Sequence, residues 1–380
     1  MKRSLILFLS LVSTFFGHAQ TNVDYTTKRI GDNTSQRSGL DLSPDGKYLA
    51  IAGTQKKPLI IYDWENDQII KQVDAGQWPG GGRVHYSKNG NYLLLQNTPF
   101  NDMNINKDKP IDFEIVDVKT GAVVQKINQA NAAKISASET KYLVLKNKKV
   151  TIYNLKTGAE INSIDLPSIT NSVALSPDES ILAISHKPTL EQVKNAPTIR
   201  GDKKAKKAIK PALKYREVIT LYDAKNLTEI TSINELYDVV YRLQFSKNGN
   251  KLFVHTWPHT KMQTSTAGRQ GYVNVIDVIN KQPSRVSYLT LAPFEPDFME
   301  NEAGTVFGIV SLDKFPEVRL YDAQNGRLLE IFNLEQRLGE VWRTKLMGDG
   351  RASFTFLPNN SVFIVTGNQA VIWKPEALQN

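Results

Sequence analysis

Leu40-Asp41-Leu42-Ser43-Pro44-Asp45-Gly46-Lys47-Tyr48-Leu49-Ala50-Ile51 is the stretch whose reading decides the fold. Two short apolar runs flank a polar turn. Past a short loop the chain continues as Leu59-Ile60-Ile61-Tyr62-Asp63 and then Gln68-Ile69-Ile70-Lys71-Gln72-Val73. The unit reads as strand, tight polar turn, strand, loop, strand ending in Tyr-Asp, turn, strand.

Working outward, the first turn recurs as Ser87-Lys88-Asn89-Gly90, Ser176-Pro177-Asp178-Glu179 and Ser246-Lys247-Asn248-Gly249. Weaker copies are Ala137-Ser138-Glu139-Thr140, Asn301-Glu302-Ala303-Gly304 and Leu357-Pro358-Asn359-Asn360. The end of the third strand recurs as Val116-Asp117, Tyr153-Asn154, Tyr222-Asp223, Ile276-Asp277, Tyr321-Asp322 and Ile372-Trp373. Turns such as Lys119-Thr120-Gly121 and Gln324-Asn325-Gly326 follow several of these, as hairpins with positive φ require. Two independent markers thus interleave seven times in one order. No segment of the repeat body shows sustained helical periodicity.

Four short antiparallel strands cannot bury both faces alone, so each unit must stack on its neighbours. Radial repetition of such sheets closes into a β-propeller. Over about Leu40 to Lys374 the units resemble those of seven-bladed WD40 and YVTN-type propellers, and Ser43 to Ala50 is typical of bacterial members. The resemblance implies an all-β, seven-bladed propeller of four-stranded antiparallel blades. The Gly-His and most Trp-Asp dipeptides of eukaryotic WD40 repeats are missing, so their buried hydrogen-bond networks are not implied. The last repeat leaves too few residues for a fourth strand. Val23 to Ile30, which alternates and has no other partner, is expected to supply it, closing the ring with both chain ends in one blade; a disordered tail is the alternative.

The long insertions, residues 97–110, 187–215 and 256–271, all fall between second and third strands. In a propeller these loops share a face with the blade-to-blade connections, and the opposite face is left plain. Counting back two and four residues from each turn serine gives Asp41 and Gly39, His85 and Arg83, Ala174 and Ser172, Gln244 and Arg242, Met299 and Asp297, Thr355 and Ser353. Period-two alternation turns this polar set toward the central channel and puts Leu42, Tyr86, Leu175, Phe245 and Phe356 between blades. Arg83, His85, Arg242 and Asp297, with Trp78, Trp257, Trp342 and Arg343, are candidates for a polar and aromatic binding funnel at the mouth on the elaborated face. The competing account is a water-filled channel whose residues satisfy one another.

Hydrophobic residues at 41% and charged residues at 22% are ordinary globular usage, so disorder and fibrous repeats are excluded. Cysteine is absent, which removes disulfides, thiolate zinc sites, cysteine nucleophiles and a lipobox anchor. Residues 1–19 read as a signal peptide: Lys2 and Arg3, an apolar run from Leu5 to Phe16, then Gly17 and Ala19 before a cut at Gln20. The run is short for a transmembrane helix of about 20 residues, although a retained anchor is the alternative. The expected mature chain, residues 20–380, is one propeller domain, periplasmic or extracellular.

Of the formal charge of +9, Lys2 and Arg3 leave with the signal, and Lys194 to Arg216 alone carries nine basic residues against Asp202. The rest is near neutral, so a sequence-specific nucleic-acid footprint is not supported. The run from Asp202 to Lys210 reads as a short basic helix stopped by Pro211. Its Lys203, Lys204, Lys206 and Lys207 are candidates for contacting an acidic protein or an anionic glycan or surface; a solvated flap is the alternative.

Asp102 to Asp108 has oxygen ligands at alternate positions, but Lys107 stands where a calcium loop needs Gly, and Phe113 where it needs Glu. His255 and His259 have zinc-helix spacing, but Pro258 argues against the helix. No nucleophile elbow, phosphate loop or dinucleotide fingerprint is present, so no catalytic residue, metal or cofactor is assigned. The expected function is an exported, monomeric, non-catalytic propeller that binds or scaffolds a protein or anionic glycan. A hydrolase or lactonase-like enzyme with its site at the channel mouth is the alternative.

Overall fold

The computed structural model describes residues 23–379 apart from 31–36, 54–56, 98–109, 167, 169, 171, 198, 200–204, 260, 262–269, 292–295, 313–315, 339–351 and 368. Its strands form seven separate four-stranded antiparallel sheets. Blade one is Arg37–Leu42, Tyr48–Gly53, Leu59–Asp63 and Gln68–Val73, innermost to outermost. The inner strands of blades two to seven are Gly82–Tyr86, Ala132–Ile135, Val173–Leu175, Val239–Phe245, Phe298–Glu300 and Ala352–Phe356.

The repeat serine earns its place through local hydrogen bonds. Ser43 Oγ donates to Asp45 Oδ1 (2.6 Å) and accepts the amide of Tyr48 (2.9 Å), tying the end of the first strand to the start of the second. Ser87, Ser176 and Ser246 accept the corresponding amides of Tyr92, Ile181 and Lys251 at 2.9 to 3.0 Å. In blade three the serine in this role is Ser136, which accepts from Lys141 at 3.2 Å, so that turn begins one residue earlier than its sequence suggests. The third-strand marker has a similar cause: Asp63, Asp117, Asp223 and Asp277 each accept the amide three residues on, closing the outer hairpin.

On the plain face these turns interlock. A Cβ on Gly46 (φ +76°) would lie 2.7 Å from Cγ of Pro358 in blade seven, and one on Gly90 would lie 3.2 Å from Cδ of Pro44 in blade one. The turns of blades one and two therefore each rest on the proline of the blade before.

The core is divided among seven apolar clusters, one at each blade interface. Leu40, Val84, Val173, Leu243 and Phe354, the inner-strand residues that alternate with the channel set, are all buried in them. Gly308 marks one close approach, since a Cβ there would sit 2.6 Å from the Phe354 ring of the next blade.

The ring closes as the repeat arithmetic requires. Asp24–Arg29 pairs antiparallel with Gln369–Lys374 as the outer strand of blade seven, with Asp24 opposite Lys374 and Arg29 opposite Gln369. Tyr25 packs edge-on against Phe332 of blade six (5.4 Å) and donates to the carbonyl of Arg337 at 3.0 Å. Lys28 reaches the other neighbour, its ammonium 5.2 Å from the centre of the Tyr62 ring of blade one. Among the described residues no helix is long and apolar enough to cross a membrane.

Candidate functional site

The channel-lining positions of the inner strands hold the candidate site. Arg83 of blade two and Arg242 of blade five converge on Asp297 of blade six, with Nη1 of each 3.4 Å and 3.9 Å from Oδ1. Blades two and six are not neighbours, so the first pair spans the channel. All three side chains are largely buried, at 11 to 13% exposure, so solvent screens the cluster weakly. Arg242 also donates to Gln244 Oε1 (2.6 Å) and lies over the Phe298 ring, its guanidinium carbon 4.6 Å from the centroid.

Asp297 Oδ2 accepts from Ser353 Oγ, and that oxygen accepts the amide of Leu40 at 3.0 Å. One chain of hydrogen bonds and ion pairs thus runs from blade one through seven and six to two and five. The Leu40 bond belongs to a wider pattern. The inner strands have an unpaired edge toward the channel, and in blades one, two and five a polar side chain of the preceding blade caps an amide on it. Ser172 accepts from Leu243 (2.9 Å), and Asp41 Oδ2 accepts from Tyr86 (2.7 Å). Several residues expected only to face channel water are therefore used in joining blades.

Asp41 is the most perturbed carboxyl of the channel. Burial is the main cause and outweighs the amide bonds from Tyr86 and Leu42, carrying its pKa up to about 7; the Asp297 charge pushes the same way. His85 Nδ1 lies 4.0 Å away. Lys134 of blade three completes the set. Counting back from Ser136 gives this residue, and it escaped the sequence count because the blade-three turn was placed one residue late.

On the elaborated face, the insertion of blade four carries two helices, α1 (Leu190–Asn195) and α2 (Ala205–Tyr215). A capping box starts α1: Thr189 Oγ1 accepts the Gln192 amide at 3.2 Å, and Gln192 Oε1 accepts the Thr189 amide at 2.8 Å. Pro211 does not stop the basic helix as expected; α2 runs through it to Tyr215. Packing outweighs the lost backbone bond, because Ala212 is buried and Val193 and Ala196 of the α1 segment are buried with it. Below the helices, buried Glu217 accepts the Val240 amide (3.1 Å) and pairs with Lys187 (3.4 Å). Arg216 pairs with Asp238 at 2.5 Å. The rings of Tyr215 and His259 meet at 4.4 Å, so the insertions of blades four and five touch.

The funnel candidates are brought together in part. Arg83, His85 and Arg242 line one channel cavity, and Arg242 and Arg83 share Asp297. Trp78 is half-buried and lines a crevice with Arg83. Trp257 does not reach the mouth: it is 2% exposed and packs against Gly271 at the base of its insertion. Trp342, Arg343, Lys203 and Lys204 lie outside the described residues, as does the 102–108 loop; Lys206 lies on α2 with its side chain outside them, and Lys207 is exposed there. His255 is fully buried between Tyr241 and Phe298 while His259 contacts Tyr215, so the two histidines face different surroundings. Among the described residues no group of three His, Asp or Glu could hold a metal.

No protein-family model and no curated protein matches the chain. Among solved structures, the β-propeller domain of Cps50 (Swd1) from Myceliophteria thermophila is similar with a TM-score of 0.60 and 11% identity, over 92% of this chain and 99% of that one. At that identity the likeness is one of fold, and it agrees with the strand order: the chain is a seven-bladed β-propeller.

Proposed function

We propose that the chain is a non-catalytic propeller that binds an acidic protein partner on the elaborated face, centred on the α1–α2 insertion of blade four. The observation that carries this is that the insertion is a packed platform, held by its own buried residues and by Glu217, with Lys194, Lys207, Lys210 and Lys214 exposed on it. A basic surface fixed in place loses little entropy on docking and steers an acidic partner toward it. We further take residues 1–19 as a cleaved export signal, which places the partner in the periplasm or outside the cell. N-terminal sequencing checks that point: a mature chain beginning at Gln20 supports it and an intact Met1 refutes it.

The test of binding is affinity capture from the envelope fraction by the full chain and by the triple variant Lys207→Glu, Lys210→Glu, Lys214→Glu. Loss of one dominant protein, with an unchanged melting temperature, supports the platform. An identical partner set refutes it, and retention on an anionic polysaccharide column in place of any protein assigns the face to a glycan.

A hydrolase or lactonase-like activity at the channel mouth is the competing reading, and it draws on Asp41, held near neutral pKa beside His85. His85→Ala separates the two, leaving partner capture intact under the first and abolishing turnover under the second.

A further inference from the structure

We propose that Asn89, in the turn between the first two strands of blade two, is a site of spontaneous intramolecular deamidation, and that the iso-aspartate it yields loosens the joint where blades one, two and three meet. The sequence holds three Asn-Gly dipeptides, Asn89-Gly90, Asn248-Gly249 and Asn325-Gly326, and all three asparagines are exposed. Glycine has no Cβ, so its backbone nitrogen can approach the preceding side chain closely. That nitrogen attacks the asparagine Cγ. A C–N bond forms, and the side-chain amino group leaves as ammonia with the proton of the glycine amide. Solvent water then opens the cyclic imide at one of its two carbonyls, giving aspartate or, with an added methylene in the backbone, iso-aspartate.

What separates the three is how the asparagine side chain is held. The glycine amides are held alike: Gly90 donates to the Ser87 carbonyl, Gly249 to that of Ser246 and Gly326 to that of Asp322, at 2.9 to 3.0 Å. Asn248 Oδ1 accepts from Ser246 Oγ (2.8 Å) and from the Asn250 amide (3.0 Å). Asn325 Nδ2 donates to Asp322 Oδ2 and its Oδ1 accepts the Arg327 amide, both at 2.9 Å. The Asn89 side chain makes no hydrogen bond among the described residues. Its surroundings show why. Ser87 Oγ donates to the Tyr92 carbonyl at 3.0 Å, whereas the corresponding Ser246 Oγ is 3.3 Å from the Lys251 carbonyl and turns to Asn248. Glu139 of blade three accepts the Asn89 backbone amide (2.8 Å) and Asn91 Nδ2 (2.6 Å), which leaves the Asn89 carboxamide free to swing toward Gly90. The same turn touches two other blades, because Gly90 sits against Pro44 of blade one while Glu139 ties it to blade three. A backbone lengthened between Asn89 and Gly90 displaces both contacts and sets a second carboxylate beside Glu139.

The experiment is a time course of the full chain at mildly alkaline pH, folded and in urea, with peptide mapping by mass spectrometry. In urea the three dipeptides lose their surroundings and should react at similar rates. In the folded chain Asn89 should react at least about fivefold faster than Asn248 or Asn325, the rate equivalent of one side-chain hydrogen bond of about 1 kcal/mol. Asn248 or Asn325 keeping pace with Asn89 in the folded chain overturns the assignment, as does an Asn89 still intact when the urea sample has reacted fully. The iso-aspartate fraction, isolated by chromatography, should unfold at a lower urea midpoint than Asn89→Asp, which gains the charge without the methylene. Equal midpoints overturn the loosened joint.

Discussion

Replacing Asp297 by Asn tests whether the channel cluster is a structural tie across the ring. Asn keeps the size of the side chain and an acceptor for Ser353 but removes the one charge that Arg83 and Arg242 share at 3.4 and 3.9 Å. Each contact is worth about 4 to 5 kcal/mol of Coulomb energy at an effective dielectric of 20, before desolvation is subtracted. With side chains only 11 to 13% exposed, water cannot replace the lost partner. Two buried guanidinium groups then lose the carboxylate they share, and the net loss should be about 3 to 5 kcal/mol, as for other buried pairs broken from one side. The assay is urea unfolding in low salt, because guanidinium chloride would screen the effect. Arg83→Met should cost less, since Asp297 keeps Arg242. The double variant should recover at least about 1.5 kcal/mol relative to additivity. A single Asp297→Asn within about 0.5 kcal/mol of wild type, or strict additivity, would refute the cross-channel tie.

The Asp41 carboxyl makes stability depend on pH in a stated direction. Its folded pKa of about 7 lies above the ordinary 3.8, so the folded chain holds a proton that the unfolded chain has lost between those values. Stability should therefore fall as pH rises from about 4 to 7 and level off above, by at most about 1.4 kcal/mol per pH unit. Urea midpoints at pH 5 and pH 8 for wild type and Asp41→Asn check this, and equal pH dependence in both refutes it. Tyr25→Ala should weaken the closing seam by about 2 to 3 kcal/mol through loss of the Phe332 contact and the bond to Arg337. An unchanged urea midpoint would show that the seam does not depend on Tyr25.

The blade count and the closure were legible in the sequence because their causes are local. Ser43 and Asp63 recur because each satisfies amides within five residues of itself, and such bonds leave a spacing that can be counted. Where the local signature thins, in Ser136-Ala137-Ser138-Glu139, the count slipped by one and Lys134 was missed. Helix α1 had a readable start, Thr189 followed three residues later by Gln192, but at six residues it is too short to show periodicity. The path of α2 through Pro211 is set by packing against α1, which no spacing encodes. The pairing of Arg83 with Asp297 joins non-adjacent blades and is invisible to any repeat alignment. Trp257 misled because an aromatic at the end of a strand can face a neighbouring glycine as readily as solvent.

The closing seam also governs when the molecule can be finished. Asp24 and Lys374 are partners far apart in the sequence, with all the other blades between them, so the last ladder cannot form until residues 369–374 have emerged. Until then two strand edges stand open, each able to recruit a foreign strand. Slow synthesis or a stalled C-terminus would thus leave a nearly complete ring with one gap, and such an arrested species, rather than a globally unfolded one, is the form that a chaperone or protease would have to recognise.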